Sequence, residues 1–256
     1  MANYPIIALW SHPRSMSTAI ERIMRERGDL TCFHEPFLYD YYVHRAVREM
    51  PHFEPDENRP ADYDRIWDML LEAGEKGPVF FKDMSYYVVP RIYEDEALAQ
   101  RLTNAFLIRD PMRAITSYYR VDPELTSEEI GIEAQWRHFT WLERVTGRAP
   151  IVLEAEQIQV DPEAVISAFW AKIGLAPAPH AFHWQSEDVP KDWQDVAGWH
   201  GSVTSSTGIK PPASQADAEE KFAAAAEQAP CLREFLKTHH VFYDRLRQAM
   251  LGTDGH

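Results

Sequence analysis

Four short apolar runs in this chain end in side chains that bind anions or move protons. Residues 5–10 lead into Ser11, His12, Pro13 and Arg14, and residues 30–33 into His34, Glu35 and Pro36. Residues 78–81 lead into Lys82 and Asp83, and residues 104–108 into Arg109 and Asp110. A chain leaving a core turns polar anyway, which explains any single exit. Arg, Glu, Lys and Arg at four exits together point to one convergent site. Guanidinium and ammonium groups give charge-assisted hydrogen bonds to an anion, and a carboxylate or imidazole can take a proton. The first exit is the most specific. Arg14, Ser15, Met16, Ser17 and Thr18 run straight into a segment with Ile20, Ile23 and Met24 on one side. A helix starting there offers free backbone N–H groups and a partial positive charge, which hold phosphate-like anions. Ser15, Ser17 and Thr18 add hydroxyl donors. Helix capping by Ser15 or Ser17 accounts for one hydroxyl, but not for Arg14 between Pro13 and the helix start.

The elements that must position these groups follow from the pattern. The four runs, and a fifth at residues 150–153, have strand length and are rich in β-formers or aromatics. Helix-like segments lie between or after them at residues 17–27, 112–119, 128–145 and 161–173. The last opens Asp161-Pro162-Glu163, a favourable helix start. Strands alternating with helices predict an α/β fold: a parallel sheet with helices on both faces. All the polar exits then share the carboxyl edge, where open α/β sheets bind ligands. Residues 1–256 read as a single domain. Residues 39–75 carry Pro51, Pro55 and Pro60 before a helix from Tyr63, and read as an irregular insertion flanking the site. Residues 177–213 are rich in Trp, Ser, Gly and Pro, as lids and binding loops often are. Within them, residues 201–210 either close over a ligand or form a plain surface loop. Residues 215 to about 251 read as helical.

A formal net charge of −14 disfavours nucleic acid and anionic membranes as partners. It leaves open a small anionic ligand held by a few local donors. Cys32 and Cys231 form neither a metal-type pair nor a disulfide framework. No secretory signal and no membrane-spanning run is legible, so a cytoplasmic protein acting on a small molecule is expected. The oligomeric state is not legible.

The run Pro13-Arg14-Ser15-Met16-Ser17-Thr18 resembles the 5′-phosphosulfate loop of sulfotransferases, Pro-(Lys/Arg)-Ser-Gly-(Ser/Thr)-Thr. The run Leu107-Ile108-Arg109-Asp110-Pro111, with Ser117 on the following helix, is similar to the family's strand ending in Arg-x-Pro. A third stretch resembles the family's Tyr-Glu-Asp-Leu…Asp-Pro…Leu-Gly-Leu segment: Glu154-Ala155-Glu156-Gln157-Ile158, then Asp161-Pro162-Glu163 and Ile173-Gly174-Leu175. The matches fall in family order and span most of residues 5–175. The resemblance implies a P-loop nucleotide-kinase-like sulfotransferase fold. It implies a sulfuryl donor, 3′-phosphoadenosine 5′-phosphosulfate (PAPS), and no metal. By resemblance, Arg14, Ser15, Met16, Ser17 and Thr18 bind the 5′-phosphosulfate, and Arg109 with Ser117 the 3′-phosphate. Met16 departs from the family's glycine, which lets the backbone approach the anion or take an unusual turn.

Sulfuryl transfer needs in-line geometry and donors for charge growing on the leaving phosphate, as phosphoryl transfer does. Arg14 and the helix N-terminus supply those donors, and Lys82 is placed to touch the bridge oxygen or the sulfuryl group. Glu35, His34 and His12 are the candidate bases for a hydroxyl- or amine-bearing acceptor. Phe33-His34-Glu35-Pro36-Phe37 resembles the Glu-Pro segment of carbohydrate-type and bacterial sulfotransferases, which favours Glu35. In an extended strand, His34 and Glu35 aim apart unless the strand has ended. Tyr39, Tyr41, Tyr42, Tyr86, Tyr87, Trp193 and Trp199 are the aromatics expected near the acceptor. Two other classes remain. A nucleotide or small-molecule kinase is disfavoured because Ser17 stands where a triphosphatase loop has its lysine. A non-catalytic nucleotide-binding module is motivated by Met16.

Overall fold

The computed structural model describes residues 4–186, 190–199 and 205–253. Five strands form one sheet: β1 (Ile6–Ser11), β2 (Thr31–His34), β3 (Val79–Met84), β4 (Thr103–Ile108) and β5 (Ile151–Glu154). Their order is β2-β3-β1-β4-β5, and every pairing is parallel. All five expected strands are present, and several extend toward the polar exits. The α/β architecture read from the sequence is the one found. Alternation along the strands divides two cores. Ile7, Leu9, Phe80, Ala105 and Leu107 face α1 (Ser17–Glu26), packing on Ile20, Ile23 and Met24. Ile6, Ala8, Trp10, Phe81, Phe106 and Ile108 face the opposite side. There they pack with α2 (Tyr63–Lys76) and the later helix Ile132–Thr146. Burial on both faces is why the strands read as continuous apolar runs.

The chain leaves β1 toward β2 on one side and crosses to β4 on the other. The connections from the carboxyl ends therefore run to opposite sides at β1, the crevice where such sheets take ligands. Gln135 spans the gap, its Nε2 donating to the carbonyls of Trp10 (3.1 Å) and Leu107 (2.9 Å).

Several helices differ from the sequence pattern. The expected helix at 128–145 is interrupted at Gly131, whose φ of 78° ends Ser127–Ile130 before Ile132–Thr146 begins. The C-terminal segment is two helices, Gln215–Gln228 and Cys231–Thr253, divided at Ala229-Pro230. Short helices at Ser85–Val88, Glu96–Arg101 and Ala155–Val160 are too brief to show periodicity. Residues 39–75 hold a wide-turn helix at Asp40–His44 and then α2, capped by Asp62. Among the described residues, no helix is long and apolar enough to cross a membrane.

Candidate active site

Between β1 and α1 the loop turns twice through the left-handed region, at Arg14 (φ 63°) and Met16 (φ 74°). The backbone at residue 16 thus takes a conformation that favours glycine, the residue that the resembling loop pattern has at this position. A side chain there costs roughly 1–2 kcal/mol, yet the loop shape is reached with methionine in place. Met16→Ala and Met16→Gly delete the same side-chain contacts, so their difference isolates the backbone. Met16→Gly is expected to be the more stable by about 1 kcal/mol, measured by urea unfolding. An alanine variant of equal or greater stability would show that the loop is not left-handed in solution.

Arg14 points inward. Its Nε donates to Ser117 Oγ at 3.0 Å and its Nη1 to the Trp199 carbonyl at 2.6 Å. Burial, and then the nearby charge of Arg109, lower its pKa to about 10, so it stays cationic. Ser117 lies on the helix Pro111–Tyr119, started by Pro111 and capped by Asp110, which accepts from the Arg113 N–H. Arg109 Nη1 donates to the Arg14 carbonyl at 2.7 Å, while its buried Nε has no hydrogen-bond partner. His12 joins the two elements. Its Nε2 accepts from the Arg109 N–H at 3.1 Å and its Nδ1–H donates to the Pro13 carbonyl at 3.1 Å. Burial lowers its pKa to about 3. With both ring nitrogens committed, His12 is a strut rather than a base.

On the other side of β1, Lys82 is fully buried (0% exposed) and Glu35 nearly so (6%). They form a close ion pair, and Lys82 Nζ also reaches Thr18 Oγ1 at 3.4 Å. The adjacent carboxylate, Asp83, instead accepts from the N–H groups of Phe37 (2.7 Å) and Met84 (2.9 Å). Burial raises the Asp83 carboxyl well above its usual range, with Glu35 adding a like charge. Asp83 thereby fixes the turn at Glu35-Pro36-Phe37. Glu35 has φ 38°, so alternation ends at His34 and both side chains lie on the Lys82 side. They are not equivalent there. His34 Nδ1 sits 2.6 Å from Glu21 on α1, behind the site, and burial pushes its pKa well below the usual value.

A cleft of about 420 Å³ opens over these groups. Arg14, Met16, Ser17, Thr18, Glu35, Lys82, Arg109 and Ser117 all line it, brought together as expected from distant segments. Ser15, His34 and His12 do not. Ser15 is buried beneath the loop, its N–H bonded to the His12 carbonyl at 3.2 Å and its hydroxyl unpartnered. Among the expected aromatics, Tyr42, Tyr86, Tyr87 and Trp199 reach the cleft. Tyr39 bonds Asp195 and Trp193 bonds Glu21 elsewhere, while Tyr41 packs against Tyr42, Tyr86 and Tyr87. Sequence reasoning missed Arg120, Gln159 and the cleft position of Tyr118. The stretch read as either a cover for a ligand or a plain surface loop lines the cleft through Ser206, Gly208, Ile209 and Lys210, while residues 201–204 lie outside the described residues.

Two curated Arabidopsis thaliana proteins resemble this chain, both named as branched-chain-amino-acid aminotransferase-like. Protein 2 is 23% identical over 209 residues, which is 81% of this chain and 36% of the relative. Protein 1 is 24% identical over 214 residues, 83% and 38% respectively. The chain thus spans little more than a third of the length of those relatives. A solved sulfotransferase domain from the curacin biosynthetic pathway superposes with a TM-score of 0.49 at 12% identity, covering 89% of this chain and 98% of that one. The sulfotransferase-domain family model matches residues 5–230, nearly the whole chain, with the loop at residues 13–18, the Arg-x-Pro exit and the Glu-Pro turn inside the match. The chain belongs to the sulfotransferase-domain family, as the resemblance of its motifs led us to expect.

Proposed function

We propose that this chain transfers the sulfuryl group of PAPS to a hydroxyl of a small acceptor. One observation carries the choice of an anionic donor. The chain has 40 acidic and 26 basic residues, yet among the described residues the charged groups lining the cleft are Arg14, Lys82, Arg109, Arg120 and Lys210 against Glu35. Positive charge gathered in one cleft of an acidic protein favours a polyanionic ligand over a cationic or neutral one. In this reading the loop and Arg14 face the 5′-phosphosulfate, and Arg109 with Ser117 faces the 3′-phosphate. Glu35 takes the acceptor proton as the acceptor oxygen bonds sulfur. The bond from sulfur to the bridging oxygen breaks, and its electron pair stays on the phosphate of the departing 3′-phosphoadenosine 5′-phosphate (PAP). Lys82 Nζ and the Arg14 guanidinium meet that growing charge.

Selective binding of PAP over AMP tests the donor assignment. Losing a charge-assisted bond to the 3′-phosphate costs roughly 1.5–3 kcal/mol, a preference of about 10- to 150-fold. Calorimetry with both nucleotides should show it, and Arg109→Gln should erase it. Equal affinities in the unmodified protein would remove the 3′-phosphate role of Arg109.

A further inference from the structure

The pairing of β1 with β4 stops at Trp10 and Phe106. Past that point each strand continues only with its other neighbour, Ser11 beside Met84 and Ile108 beside Glu154. Main-chain groups facing the crevice therefore lose their ladder partners, and buried ones need others. Two fully buried side chains, Gln135 and His12, supply them. Gln135 takes the carbonyls of Trp10 and Leu107. His12 serves the next stretch. Its Nε2 takes the Arg109 N–H at 3.1 Å, and its Nδ1–H goes to the Pro13 carbonyl at 3.1 Å. One neutral tautomer makes both bonds. A second ring proton would face the Arg109 N–H, and burial keeps that proton off. Gly131 packs beside the ring: an added Cβ there would lie 3.4 Å from the His12 Cβ.

Two further bonds link the loop to the β4 exit and its helix. Arg14 Nε reaches Ser117 Oγ, and Arg109 Nη1 reaches the Arg14 carbonyl. Both use side chains that line the cleft and that the proposed function gives to the donor's phosphates. A bound phosphate competes for those donors. The bond from the Arg109 N–H to His12 is of another kind. It joins a main-chain group to a ring that does not line the cleft, so a ligand there leaves it intact. A guanidinium reads a phosphate through directed hydrogen bonds. Where the Arg109 main chain is held therefore decides how well both ends of one ligand are met at once.

We propose that His12 is a positioning residue: it ties the Arg109 main chain to the loop at residues 13–18, fixes the separation of the two phosphate sites, and thereby sets the preference for a nucleotide phosphorylated at both the 5′ and the 3′ position. The proposal rests on the sulfuryl-transfer reading for the identity of those two sites. It gives His12 no contact with the donor and no proton to carry. The residue acts through Arg109.

The test is calorimetry of the full chain with PAP and with AMP. An asparagine amide stands in for the Nδ1 side of an imidazole, and a glutamine amide reaches the Nε2 position. His12→Asn keeps the loop bond and loses the Arg109 bond. It should cut the preference for PAP over AMP about tenfold, with AMP affinity within about threefold of the unmodified protein. His12→Gln keeps the Arg109 bond and should restore most of the preference. A merely structural residue would lower stability to urea in both variants and weaken both nucleotides together. That pattern overturns the proposal, as does an unchanged preference in His12→Asn or an equal loss of preference in the two variants. Should neither variant fold, amide hydrogen exchange in the unmodified protein decides. The Arg109 N–H should stay protected with PAP bound, and rapid exchange there overturns the proposal. If the unmodified protein does not bind PAP, or binds it no better than AMP, the donor reading falls and the positioning role with it. If PAP is preferred and the His12 results fail, the positioning role falls alone.

Discussion

Glu35→Gln is expected to lower turnover by roughly 10²–10⁴, the usual contribution of a positioned general base, while PAP binding stays near that of the unmodified protein. The amide keeps the size of the side chain and one oxygen for Lys82, but it cannot accept the acceptor proton. The carboxylate lines the cleft, held by Lys82 on one oxygen and approached by Tyr87 on the other. Its backbone N–H is tied to the Lys82 carbonyl at 3.0 Å, and Asp83 grips the turn two residues on. The group is therefore positioned from both strands β2 and β3. Release of PAP from PAPS, with an acceptor found by activity screening, measures the effect, and PAP calorimetry is the control. If Glu35→Gln kept full turnover while His34→Ala abolished it, the base would be the imidazole. That outcome would require His34 to leave Glu21, with which it pairs at 2.6 Å.

Lys82→Met carries the largest combined effect. Removing one partner of a buried ion pair leaves the other charge uncompensated and costs about 3–5 kcal/mol. Glu35 and Lys82 are both buried, so this range applies to them. Turnover should fall as well, by roughly 10²–10³, the effect of losing one donor aimed at developing charge. The two consequences separate in the double variant. Combining Lys82→Met with Glu35→Gln removes both charges and should recover most of the stability, because no buried ion is left alone. It should recover none of the turnover. Urea unfolding and PAP release on the same preparations give both numbers. A double variant as unstable as the single one would mean that Lys82 stabilises the protein through packing rather than through Glu35.

The strands and their polar exits were legible because each is a short, largely apolar run, and the central ones are buried on both faces. Arg14, Thr18, Glu35, Lys82, Arg109 and Ser117 meet in one cleft because a parallel sheet sends every carboxyl end to one edge. What local sequence could not show is which way a side chain turns once regular structure ends. Ser15 reads as one more loop donor, yet the double left-handed turn puts its hydroxyl under the loop. His34 and Glu35 are adjacent and chemically interchangeable on paper. Only the Glu21 carboxylate on the neighbouring helix, itself bonded to Arg25 and Trp193, separates their roles. Tyr118, Arg120 and Met50 reach the cleft through contacts far apart in sequence, and no spacing rule anticipates those.

Among the described residues, the non-glycine residues in the left-handed region are Arg14, Met16, Glu35, Ala46 and His52, and the first three line the cleft. Such backbone persists only when its surroundings over-determine it. A selection for heat tolerance alone would therefore drift toward glycine or asparagine at positions 14, 16 and 35, where the local conformation favours them. At 14 and 35 it would discard the guanidinium and the carboxylate in the process. Thermal robustness and group transfer compete here for the same side chains, so directed evolution of this domain must screen for both together or lose the chemistry first.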